Sequence, residues 1–177
     1  NNDFSMNLAE KIFKKFRYYD EQSIILDKAP LNFLWIGFIK ILFPHAKVIH
    51  CKRNLKDTAL SIYKNVFDAS SLSWTYNQQT LLKFIGMYKN IMDFWYTKIP
   101  DYIYECNYET LVSDKNNETK KLIEFCNLDW EENCIDHTKN KTGIKTVSLA
   151  QARKPIYKTS IDLNKSYSEY LDFLDKV

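Results

Sequence analysis

Glycine is scarce in this chain: of 177 residues only Gly37, Gly86 and Gly143 lack a side chain. The first two fall inside helical patterns, so no stretch supplies the glycine-rich loop whose backbone N–H groups cradle a phosphate at a helix N-terminus. The same shortage removes the Walker lysine motif and disfavours a P-loop kinase. Proline is almost as rare, and no run rich in Pro, Gly or Ser marks a linker. With no internal repeat and no low-complexity segment, residues 1–177 read as one domain. Cys51, Cys106, Cys126 and Cys134 show no CxxC spacing, which argues against a zinc site. Cys51 and Cys106 lie in strand-like runs, where cysteine is usually a small buried hydrophobe. All four read as free thiols, although spacing alone leaves a Cys126–Cys134 bridge open.

Long apolar runs are missing too. None approaches the ~20 residues needed to span a bilayer, and the opening Asn1-Asn2-Asp3-Phe4 has neither the basic start nor the apolar stretch of a signal peptide. The chain as given therefore reads as soluble and cytoplasmic. Its formal charge of +3 is mild, with both signs interspersed. This is too mild to imply a nucleic-acid or membrane surface and leaves room for a local basic pocket.

What is abundant is apolar and aromatic side chain, at 45 % and 15 %, enough for an ordered globular fold. Leu8, Ile12, Phe13 and Phe16 share one helical face, predicting a helix over 8–18. Ile24-Ile25-Leu26 reads as a short strand. A helix over 31–43 stops at Pro44, and Lys47 to Cys51 reads as a second strand, so strand, helix and strand make a βαβ unit. Asn54 is placed to cap a helix over 55–66, a long helix over 76–98 ends before Pro100, and Tyr102 to Tyr108 reads as a third strand. A helix over 115–126 and a short one after Trp130 follow, and 138–157 looks irregular. The expected fold is α/β, a mainly parallel sheet flanked by helices, with ligands outside the carboxyl ends of the strands.

Four features occupy such positions. Asp27-Lys28-Ala29-Pro30 sets a cation in a rigid turn after the first strand, where Lys28 either meets an anion or is simply solvated. Arg53 follows the second strand, and Ser61 lies two helical turns on. A strand-end Arg, the free N–H groups of a helix start and a hydroxyl can together hold a phosphate, although an ion pair and an ordinary helix serine are the common roles of such residues. Tyr108 ends the third strand and offers a ring to a base or to the sheet. Arg153 and Lys154 precede Pro155 in the irregular stretch.

The order and spacing of these segments resemble the sulfotransferases, most closely the bacterial type often joined to tetratricopeptide repeats. The resemblance covers about 26–157. It is carried by Asp27 to Phe33, by Leu42 to His50 with Arg53 and Asp57 to Ser61, by Tyr108 to Val112, by Phe125 to Trp130, and by Gln151 to Tyr157. Tyrosylprotein sulfotransferases share much of the pattern. The resemblance implies a P-loop-NTPase-like fold and 3'-phosphoadenosine-5'-phosphosulfate as cosubstrate, with no metal. It implies that Arg53 and Ser61 hold the nucleotide 3'-phosphate, that Tyr108 lies by the adenine, and that Lys28 stabilises charge on the transferring sulfonate. Lys154 or Arg153 would reach the phosphates from the C-terminal loop, with Thr146 and Ser148 as weaker candidates for the same nucleotide.

The departure from the family is the missing phosphate loop and first strand, and an N-terminally truncated domain is the expectation drawn from it. The activity implied is sulfonate transfer to an acceptor hydroxyl or amine, on a carbohydrate, small molecule or protein, with the isolated chain inactive. Two alternatives stay open: a protein-tyrosine sulfotransferase, and a catalytically dead module that binds a 3'-phosphorylated nucleotide. No general base is evident, since His45, His50 and His137 sit in a turn, a strand and a late helix. Acceptor choice would rest on 68–79 and 133–144, where Trp74 and Tyr76 either stack on an acceptor or pack internally.

Overall fold

The computed structural model describes residues 2–16, 24–67, 70–136, 138 and 158–177. They fall into two compact units, Asn1–Val48 with Tyr88–Tyr102, and Ile49–Met87 with Ile103–Val177.

In the first unit, helix α1 (Asn2–Phe16) packs on α2 (Ile36–Leu42). A 3-10 helix, Pro30–Trp35, runs directly into α2. Pro30 stands at its first position, where a missing N–H is no loss, and Ala29 before it is extended, as a residue preceding proline must be. Phe43 closes α2 just ahead of Pro44. The long helix α4 (Gln78–Lys98) contributes its second half to this unit. There Trp95 donates its indole N–H to the Phe33 carbonyl at 2.7 Å, and Tyr88 meets the Phe33 ring edge-on at 5.3 Å. The indole lies against Gly37, where an added Cβ would stand 2.6 Å from Trp95 Cη2. Only a residue without a side chain permits that approach.

The expected strand at Ile24-Ile25-Leu26 is not formed. These residues belong to no ladder, and Ile24 and Leu26 are 72 % and 83 % exposed. β-propensity describes how well a side chain fits a covered, paired surface, and nothing in the described residues pairs with this one. The βαβ unit anticipated from it is therefore absent among the described residues.

In the second unit, β1 (Val48–Lys52) and β2 (Ile103–Asn107) form a two-stranded parallel sheet. Parallel neighbours need a crossover connection, which here comprises α3 (Leu55–Lys64), a 3-10 helix (Ser70–Tyr76) and α4. Lys52 and Glu105 pair across the two strands at 2.9 Å. The strand β2 stops at Asn107, whose side chain accepts from the Thr110 N–H, so that Tyr108 opens helix α5 (Tyr108–Ser113) and does not end the strand. Helix α6 (Lys115–Phe125) and a 3-10 turn at Glu132–Ile135 follow.

The core of this unit gathers Ala59 and Leu60 from α3, Leu81 and Ile85 from α4, and Phe173 and Leu174 from the C-terminal tail. Full burial of a Leu, Ile or Phe side chain contributes about 1.5–3 kcal/mol. The tail, 158–177, carries no periodic pattern in sequence. It folds through two 3-10 helices, Leu163–Tyr167 and Asp172–Lys176, and the second inserts its two apolar residues between α3 and α4. Trp74 stacks on Phe84 at 3.8 Å and packs against the same core, and the Tyr76 hydroxyl bonds the backbone of Phe67. The Trp74 ring is thus part of the packing, whereas Tyr76 is engaged through its hydroxyl and remains 46 % exposed.

All four cysteines are free. Cys106 is buried as expected, but Cys51 is exposed, because burial along β1 ends before its last two residues.

Candidate functional site

Two strand-to-helix turns lie side by side at the carboxyl ends of β1 and β2. In the first, Asn54 Oδ1 accepts from the Asp57 N–H at 3.1 Å, the cap that its position predicted. The backbone N–H of Asn54 donates to Glu109 Oε1 at 2.9 Å, joining the first turn to the second.

Arg53 sits at this junction. Its Nη2 donates to the Ser160 carbonyl at 2.6 Å, and its guanidinium carbon lies 5.3 Å from the centre of the Tyr108 ring, within cation–π range. Its Nε is buried and finds no acceptor among the described residues. A guanidinium carries five N–H donors in a rigid fork, so one is committed to the tail and the rest include an unsatisfied donor. An unmet buried donor costs free energy until an acceptor arrives.

Behind Arg53, Asp57 is 1 % exposed, yet it is hydrogen-bonded throughout. One oxygen accepts from the backbone N–H and the side-chain amide of Asn164, each at 2.7 Å, and the other accepts from the Asp162 N–H at 2.8 Å. Buried carboxylates persist where such donors meet them. In sequence Asp57 stands out only as the start of the segment Asp57 to Ser61, with no role of its own, and Asn164 not at all. The one available signal was an acidic residue four positions before Ser61, which places both on one face of α3. Ser61 itself is half-buried, and its carbonyl accepts from Asn65 Nδ2 at 2.6 Å.

The structure thus brings Arg53 and Tyr108 together and places Ser61 further along the helix that Arg53 precedes. Lys28 belongs to the other compact unit, is exposed, and forms no ion pair among the described residues. Its neighbour Asp27 accepts from Asn32 Nδ2 at 2.8 Å, which closes the turn around Pro30. Thr146, Ser148, Arg153, Lys154 and His137 lie outside the described residues. His50 is within β1, and its pKa is lowered, mainly by burial and also by Lys52, against an opposing pull from Glu105. The imidazole is therefore neutral near pH 7.

A cleft of about 320 Å³ in the same unit is lined by Asn54, Lys56, Asp162 and Lys165, among others. Its lysines are already paired, Lys56 with Asp175 and Lys165 with Asp162, both at 2.8 Å. Neither Arg53, Ser61 nor Tyr108 lines it. Among the described residues there is no cluster of three or more His, Cys, Asp or Glu side chains that could hold a metal ion, and no helix long and apolar enough to cross a membrane.

Comparison with known proteins gives this geometry a context. A family model described as the sulfotransferase family matches residues 2–132. An "Uncharacterized protein" of Aquifex aeolicus (strain VF5) is 36 % identical over 153 residues, which cover 85 % of this chain and 20 % of that relative. The chain therefore spans about one-fifth of the length of the curated relative it matches. No solved structure matches it.

Proposed function

The chain belongs to the sulfotransferase family, and from that premise we propose that its β1–α3 corner binds the 3'-phosphorylated adenine nucleotide of a phosphosulfate donor. The observation that carries the reading is Arg53: a guanidinium at a strand end, held by a carbonyl and an aromatic ring, with a buried N–H that has no acceptor among the described residues. A phosphate oxygen supplies the missing acceptor, and Arg–phosphate contacts are among the stronger charge-assisted hydrogen bonds. The start of α3 adds the partial positive charge of a helix N-terminus. Ser61 adds a hydroxyl, Tyr108 an aromatic surface near the adenine, and Ser148, Arg153 and Lys154 further contacts to the nucleotide.

In the reaction proposed, an acceptor oxygen or nitrogen attacks sulfur in line. The bond from sulfur to the 5'-phosphate oxygen breaks, the acceptor's proton passes to solvent water, and adenosine 3',5'-bisphosphate leaves with the electron pair of the broken bond. Lys28 offsets the charge that develops on the leaving phosphate. The protein's contribution is positioning and charge stabilisation. Since its three glycines supply no phosphate loop, the 177-residue chain binds the bisphosphate without transferring sulfonate.

Calorimetric titration of the chain with adenosine 3',5'-bisphosphate and with adenosine 5'-monophosphate tests this reading. One charge-assisted hydrogen bond contributes about 1.5–3 kcal/mol, so the bisphosphate should bind roughly tenfold more tightly or better. Arg53→Ala should erase the difference. Equal affinities in the unaltered chain would overturn the assignment.

A further inference from the structure

The tail from Ser160 to Asn164 is fastened to the nucleotide helix by a single buried carboxylate. Asp57 accepts the N–H groups of Asp162 and Asn164 together with the Asn164 amide. To bring both backbone donors to one side chain the tail turns sharply at Asp162, which adopts the left-handed conformation with φ of 59°. Aspartate visits that region at modest cost, and the carboxylate beside it offsets the cost. Two residues upstream, the Ser160 carbonyl receives Arg53 Nη2 at 2.6 Å. A continuous chain of contacts therefore runs from Asp57 through the turn to the guanidinium.

We propose that Asp57 is a positioning residue for Arg53: by clamping the backbone at Asp162 and Asn164 it sets the Ser160 carbonyl, and that carbonyl aims the guanidinium at the 3'-phosphate. The proposal rests on the nucleotide reading given above. Its physical content is preorganisation. An arginine free to sample its rotamers must be ordered when ligand binds, whereas one already held between a carbonyl and the Tyr108 ring has met that cost in folding. The carbonyl occupies one of five donors and leaves the remainder for phosphate oxygens. Asp57 itself is 1 % exposed, with its oxygens taken by the tail, and so has no means of touching the ligand.

Asp57→Asn keeps the volume of the side chain but turns one acceptor oxygen into a donor facing another N–H. Two measurements on the 177-residue chain separate the possibilities. In hydrogen exchange, the Asp162 and Asn164 amides should lose their protection in Asp57→Asn while the amides of α4 keep theirs. In calorimetry, the preference for adenosine 3',5'-bisphosphate over the monophosphate should fall from roughly tenfold to roughly twofold or less, with monophosphate affinity unchanged. Adding Arg53→Ala to Asp57→Asn should remove little more, because the two act as one unit.

Should Asp57→Asn fail to fold, Asn164→Ala, which deletes one of the three donors, should lower the same preference by about threefold, roughly half of a tenfold (1.4 kcal/mol) step. A general structural role would weaken both nucleotides alike and expose amides throughout the unit, and that result overturns the proposal. So does a preference that survives at full size after the tail amides have been released. Equal binding of the two nucleotides in the unaltered chain overturns instead the nucleotide reading on which the positioning role depends, and the exchange measurement still reports whether Asp57 fastens the tail.

Discussion

Lys28 and Arg53 look alike on paper, each a cation just after an apolar strand-like run and just before a helix. Their surroundings differ in kind. Lys28 stands exposed in a turn whose polar contact is made by its neighbours Asp27 and Asn32. Arg53 is held at its tip by the Ser160 carbonyl and on its face by Tyr108, and the tail that provides the carbonyl is clamped by Asp57. A side chain held in one geometry before ligand arrives serves binding. One left in solvent can contribute to binding only by giving up conformational freedom.

The largest expected effect sharpens that contrast. In a polypeptide that contains this chain and transfers sulfonate, Lys28→Ala should lower kcat on the order of 10²–10³ and leave bisphosphate affinity within about twofold. Steady-state kinetics paired with calorimetry make the test. Weakened binding at unchanged turnover would make Lys28 a ground-state ligand and erase the distinction from Arg53.

A smaller effect compares the two units through their helical glycines. At Gly37 a Cβ would press on the Trp95 indole, which is held by its bond to the Phe33 carbonyl and has no easy retreat. Gly37→Ala should therefore lower stability by about 1–3 kcal/mol, the usual cost of overpacking. At Gly86 an added Cβ meets nothing within 4 Å, so Gly86→Ala should raise stability by up to about 1 kcal/mol through helix propensity alone. Urea denaturation of the two variants reads both signs, and a shared sign would show that the Trp95 contact carries no weight.

The smallest effect concerns His50. Burial favours its neutral form in the folded chain, so between its lowered folded pKa and the ordinary value near 6.5 the unfolded chain binds more protons. The stability contributed by His50 is then fully present above about pH 6.5 and declines as pH falls through that window. Melting temperatures measured from pH 7.5 down to 5 should show a decline that flattens in His50→Gln. An unchanged slope in the variant would assign the decline to carboxylates elsewhere.

Much of this was written locally, and local features were legible. The Asn54 cap, the stop at Pro44, the long helix before Pro100 and the place of Arg53 directly after β1 each depend on residues within one or two turns of one another, where propensity and capping chemistry act. The family, too, could be named from the order of such segments. Other features depended on contacts between residues from ten to more than a hundred positions apart, to which no local pattern refers. Asp57 is buried because a tail without periodicity brings three donors to it. Ile24 to Leu26 forms no strand because no ladder partner for it exists among the described residues. Trp74 is part of the packing because Phe84 lies beneath it. The sequence by itself determined which residues could bind an anion, since charge and capping are properties of side chains in order. The tertiary structure alone decided which of them, among the described residues, is held in one geometry, since orientation comes from burial and from hydrogen bonds made across the fold.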